Sequence, residues 1–251
     1  MAAITPIRES DIEFDNGSFD SAAFAARALS SWQELAAVID HTLLKPDATR
    51  EQVRNLCDEA IRYRFACAMV NPIWASTAAG VLSGTGVPVG VVIGFPLGAS
   101  LVSTLRQEAE ALTRLGAREL DMVLPIGQLK SGNHQAVYHA IHAAATVAHH
   151  NGALLKVILE TALLTVAEKL RAAEIAIQAG ADFLKTSTGF ASGGATPADV
   201  ALLRGVAGGR SGVKASGGIR TLADVRALLE AGANRIGASA SVAIVRELGA
   251  E

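Results

Sequence analysis

Aromatic side chains are scarce: Phe, Trp and Tyr make up 4% of the 251 residues. So few rings exclude the stacking platforms that hold single-stranded nucleic acid. Net charge is nearly absent too, at -2 with a pI near 6.3. That balance gives no electrostatic reason to expect nucleic acid or an anionic membrane as partner. Only two cysteines occur, Cys57 and Cys67, outside any Cys-x-x-Cys pair or Cys/His cluster with zinc spacing. They read as reduced thiols of a cytosolic protein. The N-terminal MAAITPIRESDIEFDNG is acidic and lacks the basic and apolar regions of a signal peptide. A soluble, cytoplasmic protein is the expectation.

Charge is missing altogether between Arg64 and Arg106, which calls for a membrane check. Pro72, Pro88 and Pro96 interrupt the run, as do six glycines from Gly80 to Gly98. A spanning helix needs about 20 apolar residues without such breaks. Buried strands, turns and a short helix fit better.

Residues 1 to about 20 read as a poorly ordered arm. FDSAAFAARALSSWQELAAV (19–38) reads as a helix capped by Asp20 or Ser21. This predicts an N-terminal arm and helix over 1–30 and one catalytic domain over 31–251. Eight short β-rich runs follow: VIDHTL (38–43), ACAMVN (66–71), PVGVVIGF (88–95), ELDMVLP (119–125), LLKVILE (154–160), DFLKTS (182–187), GVKASG (212–217) and RIGAS (235–239). Amphipathic segments alternate with them. TREQVRNLCDEAIRY, for one, carries an apolar stripe at Val53, Leu56, Ala60 and Ile61. Three such segments stop at Gly-Ala just before a strand, at Gly116, Gly180 and Gly232. Thr165 and Thr221, or the residues before them, are the expected helix starts.

Apolar strands alternating with amphipathic helices imply a parallel sheet covered by helices. Eight units predict an α/β fold, a single (β/α)8 TIM barrel with an N-terminal helical extension. An open doubly wound sheet is disfavoured, because no strand leads through G-x-G-x-x-G into a helix.

Barrel active sites form at the C-terminal ends of the strands. Asp40 lies on strand one, Asp121 on strand four, Lys156 and Glu160 on strand five, Lys185 on strand six and Lys214 on strand seven. A lone Asp or Lys there is often half of a structural ion pair. Three lysines and three acids at one mouth call for another reason. Lys185 and Lys214 are 29 residues apart, one βα unit, so they sit on neighbouring strands. A lysine amine attacks a carbonyl only when neutral, and burial beside a second cation favours that form. Carboxylates nearby can move protons through carbinolamine, imine and enamine stages.

Gly217 and Gly218 of SGGIR, and Gly237 and Ser239 of GAS, follow strands seven and eight, where barrels often bind phosphate. The histidines His134, His139, His142, His149 and His150 cluster between strands four and five. His139 and His142 have metal-binding spacing, but their helix faces outward and no carboxylate partner is evident. Solvated helix surface is the better reading. His41 either orients Asp40 or packs, and Trp32 and Trp74 read as packing residues.

From Val38 to Ser239 the chain resembles the deoxyribose-phosphate aldolases of the DeoC type. The resemblance rests on IDHTLLKPDAT, VVIGFPLG, GARELDMVLPIG, LLKVILET, GADFLKTSTGF, VKASGGIR and RIGAS, in the family's order and spacing. It implies a class I aldolase, a lyase that needs no metal or other cofactor. Such an enzyme reversibly cleaves 2-deoxy-D-ribose 5-phosphate to acetaldehyde and D-glyceraldehyde 3-phosphate, in deoxyribonucleotide catabolism. The resemblance makes Lys185 the Schiff-base nucleophile and Lys214 the cation that lowers its pKa. Asp121 handles protons through a water, Lys156 and Asp40 match further pocket residues, and Gly189, Gly217, Gly218, Gly237 and Ser239 match the phosphate loops. It also implies a homodimer.

Two departures bear on phosphate. Some members carry a lysine after KTSTG and many a second serine after GAS, where this chain has Phe190 and Ala240. A weaker phosphate grip and a higher Michaelis constant for the phosphorylated sugar are expected. Met69 stands where a cysteine is common. The alternatives are another Schiff-base aldolase or transaldolase with a different donor, a non-catalytic sugar-phosphate sensor, and a metal-dependent aldolase. The last is disfavoured by the absence of a strand-end histidine cluster.

Overall fold

The computed structural model describes residues 19–251. Eight strands appear where the β-rich runs lie: β1 (Ile39–Leu43), β2 (Cys67–Val70), β3 (Val89–Ile93), β4 (Ala117–Val123), β5 (Leu154–Ile158), β6 (Phe183–Lys185), β7 (Gly212–Ser216) and β8 (Arg235–Ala238). Each pairs in parallel with its sequence neighbour, and β8 closes onto β1. The expected (β/α)8 barrel is the fold.

Helices α1 (Ser21–Ala28) and α2 (Trp32–Ala36) precede the barrel. Its outer layer is α3 (Arg50–Tyr63), α4 (Ala75–Leu82), α5 (Val102–Arg114), α6 (Ile126–Lys130), α7 (His134–His150), α8 (Val166–Gln178), α9 (Pro197–Ala207), α10 (Leu222–Glu230) and α11 (Ser241–Glu247). Thr49, Thr165 and Thr221 open α3, α8 and α10 with reciprocal capping boxes. Each such cap stabilises its helix by about 1 kcal/mol.

Strand period divides the core in two. Outward residues such as Leu120, Met122, Leu155 and Val157 join the helices in the main hydrophobic core. Inside the barrel a small apolar cluster forms from Leu44, Cys67, Met69 and Val92, with Phe95 against them. Buried charges, Asp40, Glu119, Asp121, Lys156, Lys185 and Lys214, share that interior. The apolar helix–strand layer must therefore offset the desolvation of those charges.

Two expectations are revised. The segment 19–38 forms two helices, because Ser31 is extended and its hydroxyl accepts the Glu34 N–H, starting α2 afresh. Asp20 caps α1 as expected, and α1 packs on α10. The arm expected over residues 1 to about 20 lies outside the described residues up to 18. Glu160 is beyond β5, in a left-handed conformation with φ 58°. The charge-free run resolves into β2, a 3-10 turn, α4 and β3, and among the described residues no helix is long and apolar enough to cross a membrane.

Candidate active site

Strand register brings the charged residues together. Asp121 on β4 is the partner of Lys156 on β5, Lys185 on β6 is the partner of Lys214 on β7, and Lys214 is the partner of Arg235 on β8. Partners in a sheet stand about 4.8 Å apart and point the same way. Here they point into the barrel, where Asp40, Asp121, Lys156, Lys185 and Lys214 are all buried.

Asp121 is the hub. Its Oδ2 accepts from Lys185 Nζ and from Lys214 Nζ, each at 2.7 Å, and its Oδ1 accepts from Lys156 Nζ at 2.8 Å. Asp40 accepts from Lys214 through a short bond and from Arg235 at 2.8 Å, with Lys156 3.5 Å away. Glu119, two residues before Asp121 and on the same strand face, pairs with Lys156 and lies 3.4 Å from Arg235. The Lys156–Glu119 contact is an ion pair without hydrogen-bond alignment.

The environment separates the lysines. Burial pushes Lys185 down to about 8; Asp121 opposes the shift, while Lys214 and Lys156 reinforce it. Burial acts on Lys156 in the same direction, but Asp121, Glu119 and Asp40 outweigh it and raise Lys156 well above the usual lysine range. Burial alone would raise Asp121, yet the three lysines hold it well below the carboxylate range. Lys185 is thus the amine that deprotonates near neutrality, beside a carboxylate that stays ionised.

Lys185 is also the lysine of the three that borders the cavity at the C-terminal mouth, about 270 Å³ in volume. Lys214, Asp121, Lys156 and Asp40 stand behind it, deeper than the strand-end placement expected for them. Gly189, Gly217, Gly218, Gly237 and Ser239 line the same cavity, and so does exposed Lys45. Gly217 and Gly218 both have positive φ, 88° and 79°, which turns the chain sharply after β7. Thr186 and Ser216 tie the loops after β6 and β7 together: the Thr186 hydroxyl accepts the Ser216 N–H and donates to the Ser216 carbonyl, both at 3.1 Å. Neighbouring loops whose glycines leave the backbone uncovered suit the approach of an anion.

A family model described as DeoC/LacD family aldolase matches residues 35–247. The chain belongs to that family. It is 53% identical over 211 residues to a deoxyribose-phosphate aldolase of Geobacillus sp. (strain WCH70), covering 84% of this chain and 94% of that one. It is equally identical, over the same coverage, to the deoxyribose-phosphate aldolase of Listeria monocytogenes. Among solved structures it resembles the unique tetrameric structure of deoxyribose phosphate aldolase from Aeropyrum pernix. That match has a TM-score of 0.84 and 38% identity, over 91% of this chain and 96% of that one.

In this DeoC/LacD aldolase, two residues expected at the site do other work first. Gly237 lies within β8, and a Cβ there would sit 2.9 Å from Lys214 Cε, so its missing side chain leaves room for that lysine. Glu160 does not join the lysines. It accepts the Thr188 N–H at 3.3 Å and the Thr188 hydroxyl, and so fixes the turn after Lys185. His41 does not orient Asp40; its Nε2 meets Glu59 at 2.8 Å outside the barrel. His139, His142, His149 and His150 are exposed on α7 as expected, although His149 does have a carboxylate partner, Asp182 at 2.9 Å.

Sequence reasoning passed over Glu119, Arg235 and Lys45. The first two were legible by period: Glu119 is two residues from Asp121 and Arg235 two from Gly237, hence on the inner faces. Donor atoms of Asp40, Cys67 and Glu119 lie within 4.8 Å of one another. They do not suit a metal, since Lys156, Lys214 and Arg235 hold the carboxylates. Burial, Glu119 and Asp40 also keep the Cys67 thiol protonated.

Proposed function

We propose that the chain is a deoxyribose-phosphate aldolase that cleaves 2-deoxy-D-ribose 5-phosphate reversibly to acetaldehyde and D-glyceraldehyde 3-phosphate. The supporting observation is that Lys185 and Lys214 share one Asp121 oxygen while Lys185 alone of the three lysines borders the cavity. In this reading neutral Lys185 Nζ attacks the C1 aldehyde of the open-chain sugar. Water leaves the carbinolamine to give a protonated imine. Removal of the C3 hydroxyl proton breaks the C2–C3 bond, its electrons pass into the iminium, and glyceraldehyde 3-phosphate departs. Protonation of the enamine at C2 and hydrolysis release acetaldehyde and restore Lys185.

Lys214 and Asp121 are the proton carriers of this scheme, Lys214 also disfavouring the Lys185 ammonium. Asp40 and Lys156 hold those two in place from behind. The phosphate end is assigned to Gly189, Gly217, Gly218, Gly237 and Ser239, joined by Lys45. Phe190, which stands where some relatives have a lysine, is half exposed and edge-on to Phe95 at 5.2 Å. Lys45 is therefore the cation at the cavity mouth that can meet a phosphate. A cytoplasmic homodimer completes the reading; exposed Ile73, Leu97 and Leu101 on the loops after β2 and β3 supply apolar surface for a subunit contact.

Incubation with 2-deoxy-D-ribose 5-phosphate, with and without EDTA, tests the assignment. Equimolar acetaldehyde and glyceraldehyde 3-phosphate, unaffected by EDTA, are expected. A preference for a ketone donor such as dihydroxyacetone would favour the other Schiff-base aldolases instead.

A further inference from the structure

Every strand that faces the interior can be read for charge. β1 supplies Asp40, β2 the protonated Cys67, β4 Glu119 and Asp121, β5 Lys156, β6 Lys185, β7 Lys214 and β8 Arg235. β3 presents Gly90 and Val92, which carry none. Beyond the strands, exposed Lys45 lies at the cavity mouth and Glu160 is turned to Thr188. Among the described residues the interior thus holds four bases and three carboxylates, one positive charge too many for a buried cluster.

The contacts decide which base gives up its proton. Arg235 cannot, because a guanidinium stays protonated. It is held by Asp40 and Glu119, with its plane near the Phe183 ring. Lys156 has contacts to all three carboxylates and Lys214 to two. Among the described residues Lys185 pairs only with Asp121, and that oxygen is shared with Lys214. The deficit falls on Lys185.

We propose that Arg235 and Glu119 are positioning residues that set the protonation state of Lys185 through the chain of shared carboxylates Arg235–Asp40–Lys214–Asp121–Lys185. Arg235 occupies Asp40, so Lys214 is left to take part of Asp121, and Asp121 has less to give Lys185. Without Arg235, Asp40 draws Lys214 away and Asp121 turns to Lys185, which gains a proton. Without the Glu119 charge, Lys156 and Arg235 lean on Asp121 and Asp40, and Lys185 is more readily neutral. The two substitutions act in opposite directions although both remove an ion-pair partner. This inference deepens the role given to Lys185 above.

Competitive acetylation with trace acetic anhydride, read at Lys185 by peptide mass spectrometry across pH, reports the free amine whether or not the protein is an aldolase. The wild-type midpoint is expected at about 8. Arg235→Gln is expected to move it up by about one pH unit and Glu119→Gln to move it down by about as much. The double variant should return to the wild-type midpoint, and Arg235→Lys, which keeps the charge, should stay there. Should Arg235→Gln fail to fold, Glu119→Gln, nearly isosteric, decides by its downward shift. Unchanged midpoints, or shifts in the same direction, would mean that both residues serve stability alone and would overturn the proposal. Acetylation shifts as described, with no deoxyribose-phosphate cleavage by the wild type, would sink the assigned activity and leave this inference standing.

Discussion

Lys185 and Lys214 are register partners on adjacent strands, and their amines lie 2.7 Å from the same Asp121 oxygen. Removing the second amine should return Asp121 to the first. Lys214→Met is therefore expected to raise the Lys185 value above about 8. Imine formation at pH 7 should drop roughly tenfold for each pH unit of that rise and recover in alkali. Trapping rates with acetaldehyde and a hydride donor, measured from pH 7 to 10, check this. A loss that persists at pH 10 would assign Lys214 a proton-transfer role without an electrostatic one.

The lowered Lys185 value has a consequence for stability. Between pH of about 8 and the usual 10.5 the unfolded chain binds this proton and the folded chain does not. Stability therefore rises with pH across that window, and the full penalty is present below it. Lys185→Met removes the penalty while Asp121 keeps Lys156 and Lys214. The variant should be inactive yet more stable at pH 7, by up to about 3 kcal/mol, with the gap closing toward pH 10.5. Thermal melts of both proteins at pH 7 and pH 10 measure it; a less stable variant at pH 7 would contradict it.

Gly237 tests the packing of the second lysine. A Cβ there would meet Lys214 Cε at 2.9 Å and Ser216 Cβ at 3.1 Å. Gly237→Ala should displace Lys214 and lower kcat by about 10²-fold, the scale set by a misplacement of about 1 Å at a reacting centre. Circular dichroism should stay near wild type. An unchanged kcat would show that Lys214 tolerates the shift.

The phosphate end predicts a split between substrates. Lys45→Ala should raise KM for 2-deoxyribose 5-phosphate about tenfold or more, the scale of a charge-assisted hydrogen bond, and leave 2-deoxyribose nearly untouched. Ala240 precedes α11 and makes no side-chain cap bond. Ala240→Ser adds a hydroxyl near the Ser239 loop and should lower the same KM by about 2–10-fold. Equal effects on both sugars would place neither residue at the phosphate.

Much of this could be read from residues alone, and the failures have physical reasons. Strand runs bounded by Gly and Thr signals located all eight strands, because apolar run length and helix stops are local properties. Lys185 and Lys214 stood out because a lysine ending a buried run needs explaining. Glu119 did not, since an acid at a strand start reads as solvent-facing until register shows Asp121 beside it on the same face. Arg235 was hidden inside a motif read for its glycine and serine. Glu160 was misplaced because its left-handed backbone ends β5 early, which composition does not reveal. The break before α2 depends on one hydroxyl, Ser31, that could equally have pointed to water.

The central claim is that Lys185 forms the imine. Acetaldehyde with borohydride, followed by peptide mass spectrometry, tests it most directly. A two-carbon addition on Lys185, absent in Lys185→Ala, is the predicted result. The same addition on Lys214, or a folded protein with Lys185 unmodified, would contradict it.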